Sequence, residues 1–405
     1  MNVRRSAAAL AAAAVIGAAA PALAASSSPT PSVAIPDGLY GTADPTYDGV
    51  WRQSLALLAQ DTAGVVPADR AVAWLTGQQC ANGAFAAFRA DPAKPCDAKL
   101  MADTNSTAAA VQALTALGGH AAETGKAVTW LKSVQNADGG WGYNPGGASD
   151  ANSTAVVTGA LVAAGERPER GVKGGKSPYD ALLTFALPCT GDGAGAFAYQ
   201  PDKQGKLTAN ADATAAAVLG ALGQPLNASA EKAAASASAC AAPATPEQAA
   251  RNGARYLSTA LAEDHHLVSA LPGAENQPDY GNTADAVVAL AAAGHADEAT
   301  AALRWLEANA PQWAARSGPA AYAQLVLAAH ATGTDPRAFG STDLVRLLDA
   351  TGPAPQQTAT RKPEASGTSD DGSSTTLWVT VGAVVLVVLV AAALFLARAR
   401  RRQQP

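Results

Sequence analysis

The sequence predicts an all-α protein: twelve helices in two concentric layers, between a secretory leader and one membrane-spanning helix. Three observations lead there. Helical periodicity fills about 310 residues, with little strand-like alternation. A segment built on Trp, Gln and Gly-x-aromatic returns in register. Apolar, alanine-rich stretches alternate with charged ones, as inner and outer helices would.

The first element is the leader. Arg4 and Arg5 precede an apolar run from Ala7 to Ala20, then Ala22-Leu23-Ala24, the layout of a signal peptide over 1–24 cleaved after Ala24. A Ser- and Pro-rich tail is expected over 25–44 and the ring over 45–352. Residues 353–376 carry almost no large apolar side chain and read as a flexible stalk. Leu377 to Ala397 then gives 21 uncharged residues, long enough to span a bilayer. Arg398, Arg400, Arg401 and Arg402 follow in the tail at 398–405. They place it in the cytoplasm and the ring outside, so the expected location is the cell membrane, single-pass.

The repeat organises the ring. "RAVAWLTGQQCANGAF" (Arg70 to Phe85) and "KAVTWLKSVQNADGGW" (Lys126 to Trp141) match position by position. Weaker copies surround Phe185 with Phe197, then Tyr256 and then Trp305. A spacing of roughly 50 to 70 residues suits a helix pair. Each outer helix of this kind is followed by a blander inner one. Inner helices begin at Asp103, Asp150, Asn210, Asp279 and Ser317. One helix precedes these pairs (Tyr47 to Ala59) and one follows them (Ser341 to Ala350). Pairing those two with each other completes six pairs and closes the ring. A Gln ending an outer helix can reach free backbone groups, and the glycines allow a tight turn. Trp130, Gln135 and Trp141 are therefore read as structural ties.

Charge and cysteine usage bound the function. Six basic residues lie in the leader and tail, which leaves 22 basic against 33 acidic residues outside, a net −11. Nucleic-acid binding is excluded on that ground. Cys80, Cys96, Cys189 and Cys240 all fall in the exported part. Three connectivities exist for two disulfides, and Cys80–Cys96 with Cys189–Cys240 closes the shorter loops.

The Lys126–Trp141 segment resembles the QW motif of squalene and oxidosqualene cyclases, and Arg70–Phe85 does so with Phe85 replacing the final Trp. The region from about residue 45 to 350 is similar to the prenyltransferase and squalene-cyclase repeat superfamily, terpenoid cyclase-like α/α toroids. The α domain of transcobalamin and intrinsic factor is similar in architecture. The resemblance implies a ligand in the central cavity, reached near the inner-helix N-termini. Candidate ligand contacts are then Asp103, Asn105, Asp150, Asn152, Asn210, Asp212 and Asp279, with the loop aromatics Phe85, Phe88, Trp141, Tyr143, Phe197, Tyr199 and Tyr280.

Chemistry narrows this. Ser, Thr, Asp and Asn at helix starts accept hydrogen bonds from free N–H groups, so capping explains most of the set. Cyclases of the resembled class use an acid triplet; "NADATA" (Asn210 to Ala215) keeps only Asp212, the one candidate catalytic acid. No cysteine sits at an inner-helix start, so the zinc set of the protein prenyltransferases is not intact, and no metal is expected. His265-His266 is a weak metal signal, and His120, His295 and His330 read as inner-helix ends. The sequons at Asn105 and Asn152 are discounted, because packed helix starts are expected there. The expected function is a surface-anchored, non-catalytic module that holds a small molecule, corrinoid-like or isoprenoid, and passes it to a membrane transporter or another surface protein. No cofactor is expected beyond such a ligand. The alternatives are an extracytoplasmic terpenoid cyclase or prenyltransferase-type enzyme and a protein-interaction scaffold.

Overall fold

The computed structural model describes residues 34–97, 99–230, 239–269 and 276–356. The expected leader, span and cytoplasmic tail, and most of the stalk, lie outside the described residues. Among those described, no helix is long and apolar enough to cross a membrane.

The regular secondary structure of the described residues is almost all helix. In order come α1 (Gly49–Thr62), α2 (Asp69–Gly77), α3 (Thr104–Leu117), α4 (Ala121–Ser133), α5 (Ala151–Ala163), α6 (Pro178–Phe185) and α7 (Ala211–Ala221). Then follow α8 (Pro246–Ala260), α9 (Tyr280–Ala292), α10 (Ala296–Asn309), α11 (Pro311–Ser317), α12 (Pro319–Ala331) and α13 (Leu344–Asp349). Two short antiparallel strands, β1 (Leu267–Val268) and β2 (Pro278–Asp279), lead into α9.

The long apolar helices form a cycle. α1 packs on α3, α3 on α5, α5 on α7, α7 on α9, α9 on α12, and α12 on α1. Alanine favours helix and leaves little side chain to separate neighbours. At Gly220 of α7 even a methyl group is too much: a Cβ there would lie 2.6 Å from the Ala155 Cα of α5. These helices are buried nearly all round, whereas the outer ones bury one stripe. On α10 that stripe is Ala299, Ala302, Leu303 and Leu306, the spacing of one helical face.

Three details differ from the sequence-based expectation. Each outer helix packs chiefly on the inner helix before it: α2 on α1, α4 on α3, α6 on α5, α8 on α7, α10 on α9 and α13 on α12. The first and last helices therefore do not form a packed pair. They are tied by polar contacts instead. Gln60 Nε2 donates to Asp349 Oδ1 (2.6 Å), and Gly41 N–H donates to the Thr351 carbonyl (2.8 Å). The packed chain also overruns both expected bounds. Tyr40 is fully buried with its hydroxyl on Gln60 (2.8 Å), and Gln356 bonds the Val66 carbonyl and Asp69. A buried aromatic ring and paired backbone groups hold these ends against the fold. Finally, His120 and His295 do not end inner helices but precede α4 and α10 at their N-cap positions, while His330 does sit in the last turn of α12.

The disulfides are Cys80–Cys96 and Cys189–Cys240.

Candidate functional site

Four inner helices begin with the same local device. The N-cap side chain accepts the backbone N–H three residues on: Asp103 from Ser106 (2.6 Å), Asp150 from Ser153 (2.7 Å), Asn210 from Ala213 (2.8 Å) and Asp279 from Asn282 (3.1 Å). A threonine one turn in accepts the N–H of a buried residue on the preceding loop. Thr107 takes Phe85 (3.0 Å), Thr154 takes Trp141 (3.1 Å), Thr214 takes Phe197 (2.9 Å) and Thr283 takes Leu267 (2.9 Å). The caps of the first three donate back to the carbonyls of Phe85, Trp141 and Phe197. Trp141 also donates its indole N–H to the Leu131 carbonyl (2.8 Å).

Seven of the expected ligand residues are thus absorbed into the scaffold. Asp103, Asp150, Asn210 and Asp279 cap helices, and Phe85, Trp141 and Phe197 fill the space beneath the loops. None of the seven lines the central cavity. Burial raises the carboxyls of Asp103 and Asp150 above their ordinary range, against the lowering effect of the backbone N–H groups they accept. Tyr143 and Tyr199 are 45% and 43% exposed, outside the cavity; their carbonyls accept the N–H groups of Thr104 and Ala151 at the starts of α3 and α5. Tyr280 stacks between Trp305 (5.3 Å) and Trp313 (5.5 Å), also off the cavity. Phe88 stacks near Trp74 at 6.5 Å.

What remains of the set is Asn105, Asn152 and Asp212. They occupy the third position of the repeated pattern, two residues past the cap, and all three line the cavity. This cavity measures about 170 Å³ and takes residues from each of the six inner helices. Its apolar part is Leu55, Val156, Leu219, Val288 and Leu327, and Trp51 of α1 borders it.

Four polar groups facing the cavity were not anticipated from the sequence: Asp285, Gln324, Gln112 and Gln224. Asp285 lies one helical turn beyond Gly281, the third position of the α9 pattern. An acid inside "TADAVVAL" was the available signal. Gln324 Nε2 donates to both Asp285 oxygens (3.2 and 3.1 Å), and Asn152 Nδ2 donates to Asp212 Oδ2 (2.8 Å). Gln112 is spent on backbone, donating to the Val156 carbonyl and accepting the Leu226 N–H. Asn152 Oδ1 is buried with no partner.

The electrostatics follow from burial. Asp285 touches the cavity space yet lies deep in protein, and desolvation pushes its carboxyl up to about 7, with the Asp212 carboxylate adding to the rise and Gln324 opposing it. Asp212 is raised by burial and by Asp279, against its bond from Asn152. Among the described residues no Lys, Arg or His lines the cavity. Among the described residues no three His, Cys, Asp or Glu converge as metal ligands. His266 instead stacks on Trp305 at 4.2 Å.

No family model and no curated protein matches the chain. A crystal structure described as that of a protein from Actinoplanes is similar at 17% identity, over 68% of this chain and 75% of that one, with a TM-score of 0.43. The reading of the site rests on its own geometry.

Proposed function

We propose that the chain is a non-catalytic ligand-binding module, an α/α toroid of six helix pairs of the prenyltransferase and squalene-cyclase repeat type, whose central cavity holds one small molecule. The observation that carries this is the cavity itself. Every inner helix contributes to its wall, which combines polar side chains with hydrocarbon. At about 170 Å³ it falls below the roughly 300–1,000 Å³ of pockets for drug-sized ligands. A corrinoid or a squalene-sized isoprenoid is too large for it. The ligand is therefore a compact molecule. Two disulfides fit an oxidising, extracytoplasmic setting. Anchoring by Leu377–Ala397, and delivery to a transporter or other surface protein, belong to the same proposal.

One observation favours an enzyme instead. Asp285 carries a raised carboxyl beside the Asp212 carboxylate, the pattern of an acid–base pair. Native mass spectrometry of the chain in mild detergent separates the readings. A binding module retains a small-molecule adduct that Ala216→Phe, which fills the cavity, removes. An apo mass in both forms contradicts it.

A further inference from the structure

The cavity has a charge problem that the fold does not solve. Among the described residues it contains two carboxylates, Asp212 on α7 and Asp285 on α9, and no cationic side chain. Neither takes part in an ion pair among the described residues. Their charged neighbours are further carboxylates: Asp279 acts on both, and Asp212 acts on Asp285. Two of the lining amides are already engaged. The amide N–H groups of Asn152 and Gln324 are already given to the carboxylates, while Asn152 Oδ1 is buried with no donor. Neutral amides of Asn105 and Gln224 also line the space, but no positive charge among the described residues offsets the two carboxylates, and an uncompensated buried charge is costly.

We propose that this cavity is selective for a small organic cation, an alkyl- or cycloalkylammonium. Its N–H groups bond Asp212 and Asp285, and its hydrocarbon body rests on Leu219, Val288 and Leu327. The proposal rests on the ligand-binding reading above and names its ligand class. An ammonium supplies the missing positive charge, and charge-assisted bonds of this kind are the strong ones. The Trp51 indole of α1, which also lines the cavity, adds an aromatic surface of the type that attracts such cations. Size agrees as well. An apolar cavity of about 150 Å³ holds benzene, so about 170 Å³ admits a six-membered ring bearing one amine. A bare metal ion fits less well, because only two carboxylates face the space and the rest of the wall is largely hydrocarbon.

Calorimetric titration of the full chain in mild detergent, at about pH 8 where an alkylamine is protonated, tests this with four probes: cyclohexylammonium, cyclohexanol, cyclohexanecarboxylate and calcium. The cation should bind about tenfold or more tighter than the alcohol, and the carboxylate and calcium should give no heat. Asp285→Asn and Asp212→Asn should each weaken cyclohexylammonium about tenfold and cyclohexanol by much less, with far-UV circular dichroism confirming the fold. Equal or tighter binding of cyclohexanol, undiminished cation binding in the Asn variants, calcium binding in place of the amine, or no heat from any probe overturns the proposal. The ligand-binding reading survives each of those outcomes if the native adduct is still lost in Ala216→Phe. It fails with the proposal if that adduct is absent.

Discussion

Asp285→Asn should stabilise the ligand-free protein at neutral pH and above, and leave it unchanged in acid. The folded-state carboxyl lies at about 7, raised first by burial and then by the Asp212 carboxylate. Its unfolded value is about 4. Below about pH 4 both states carry the proton and the residue is neutral in its effect. As pH rises through the window from about 4 to about 7, the unfolded chain releases the proton first, and stability falls by up to about 1.4 kcal/mol per pH unit. The full window is worth on the order of 4 kcal/mol, an upper figure because water entering the cavity would screen the charge. Asparagine keeps the acceptor for Gln324 and removes the charge. The variant should therefore melt about 5 °C or more higher than the parent near pH 8, and within about 1 °C of it near pH 4. Thermal unfolding by circular dichroism across that range is the assay. A variant destabilised near pH 8, or one with the same offset at both ends, would refute the burial argument.

Other perturbations test the scaffold. Gly139 sits at φ +89°, and a Cβ there would lie 2.2 Å from the Ser177 carbonyl oxygen. Gly139→Ala should cost several kcal/mol, on the order of 3 or more, and lower the melting temperature sharply; an unchanged melt contradicts this. Thr154→Val strips the acceptor from the buried Trp141 N–H and should cost about 1–3 kcal/mol in denaturant unfolding, whereas a loss near zero contradicts the repeated brace. Gln60→Leu removes the tie from Tyr40 to Asp349 and should speed hydrogen exchange in α13 while leaving α5 protected. Exchange unaltered in α13 would show that the tie does not hold the ends. Reducing Cys189–Cys240 should cost about 2–5 kcal/mol, read as a lower denaturant midpoint, and an unmoved midpoint contradicts it.

Much of the scaffold was legible in the sequence because its signals are local. Asp103, Asp150, Asn210 and Asp279 cap helices through bonds spanning three residues. Gln135 reaches the Gly139 and Gly171 carbonyls, the tie expected of a glutamine ending an outer helix. Both disulfides close the shorter loops. The cavity was less legible. An inner helix that is apolar all round does not announce which side faces the centre, so Asp285 and Gln324 were passed over in favour of helix starts. Their orientation is set by packing among all six inner helices. The partner of each outer helix is likewise a long-range matter, which is why α13 was paired with α1 rather than α12. The short α11 begins at Pro311, a residue well suited to a first helical turn.

The most direct measurement is a crystal structure of the chain grown with cyclohexylammonium chloride. We predict α1 against α12 with no gap, and the ammonium nitrogen within about 3 Å of the Asp212 and Asp285 carboxylates. An opening between those two helices, or a cavity filled by the protein's own side chains, would contradict the account.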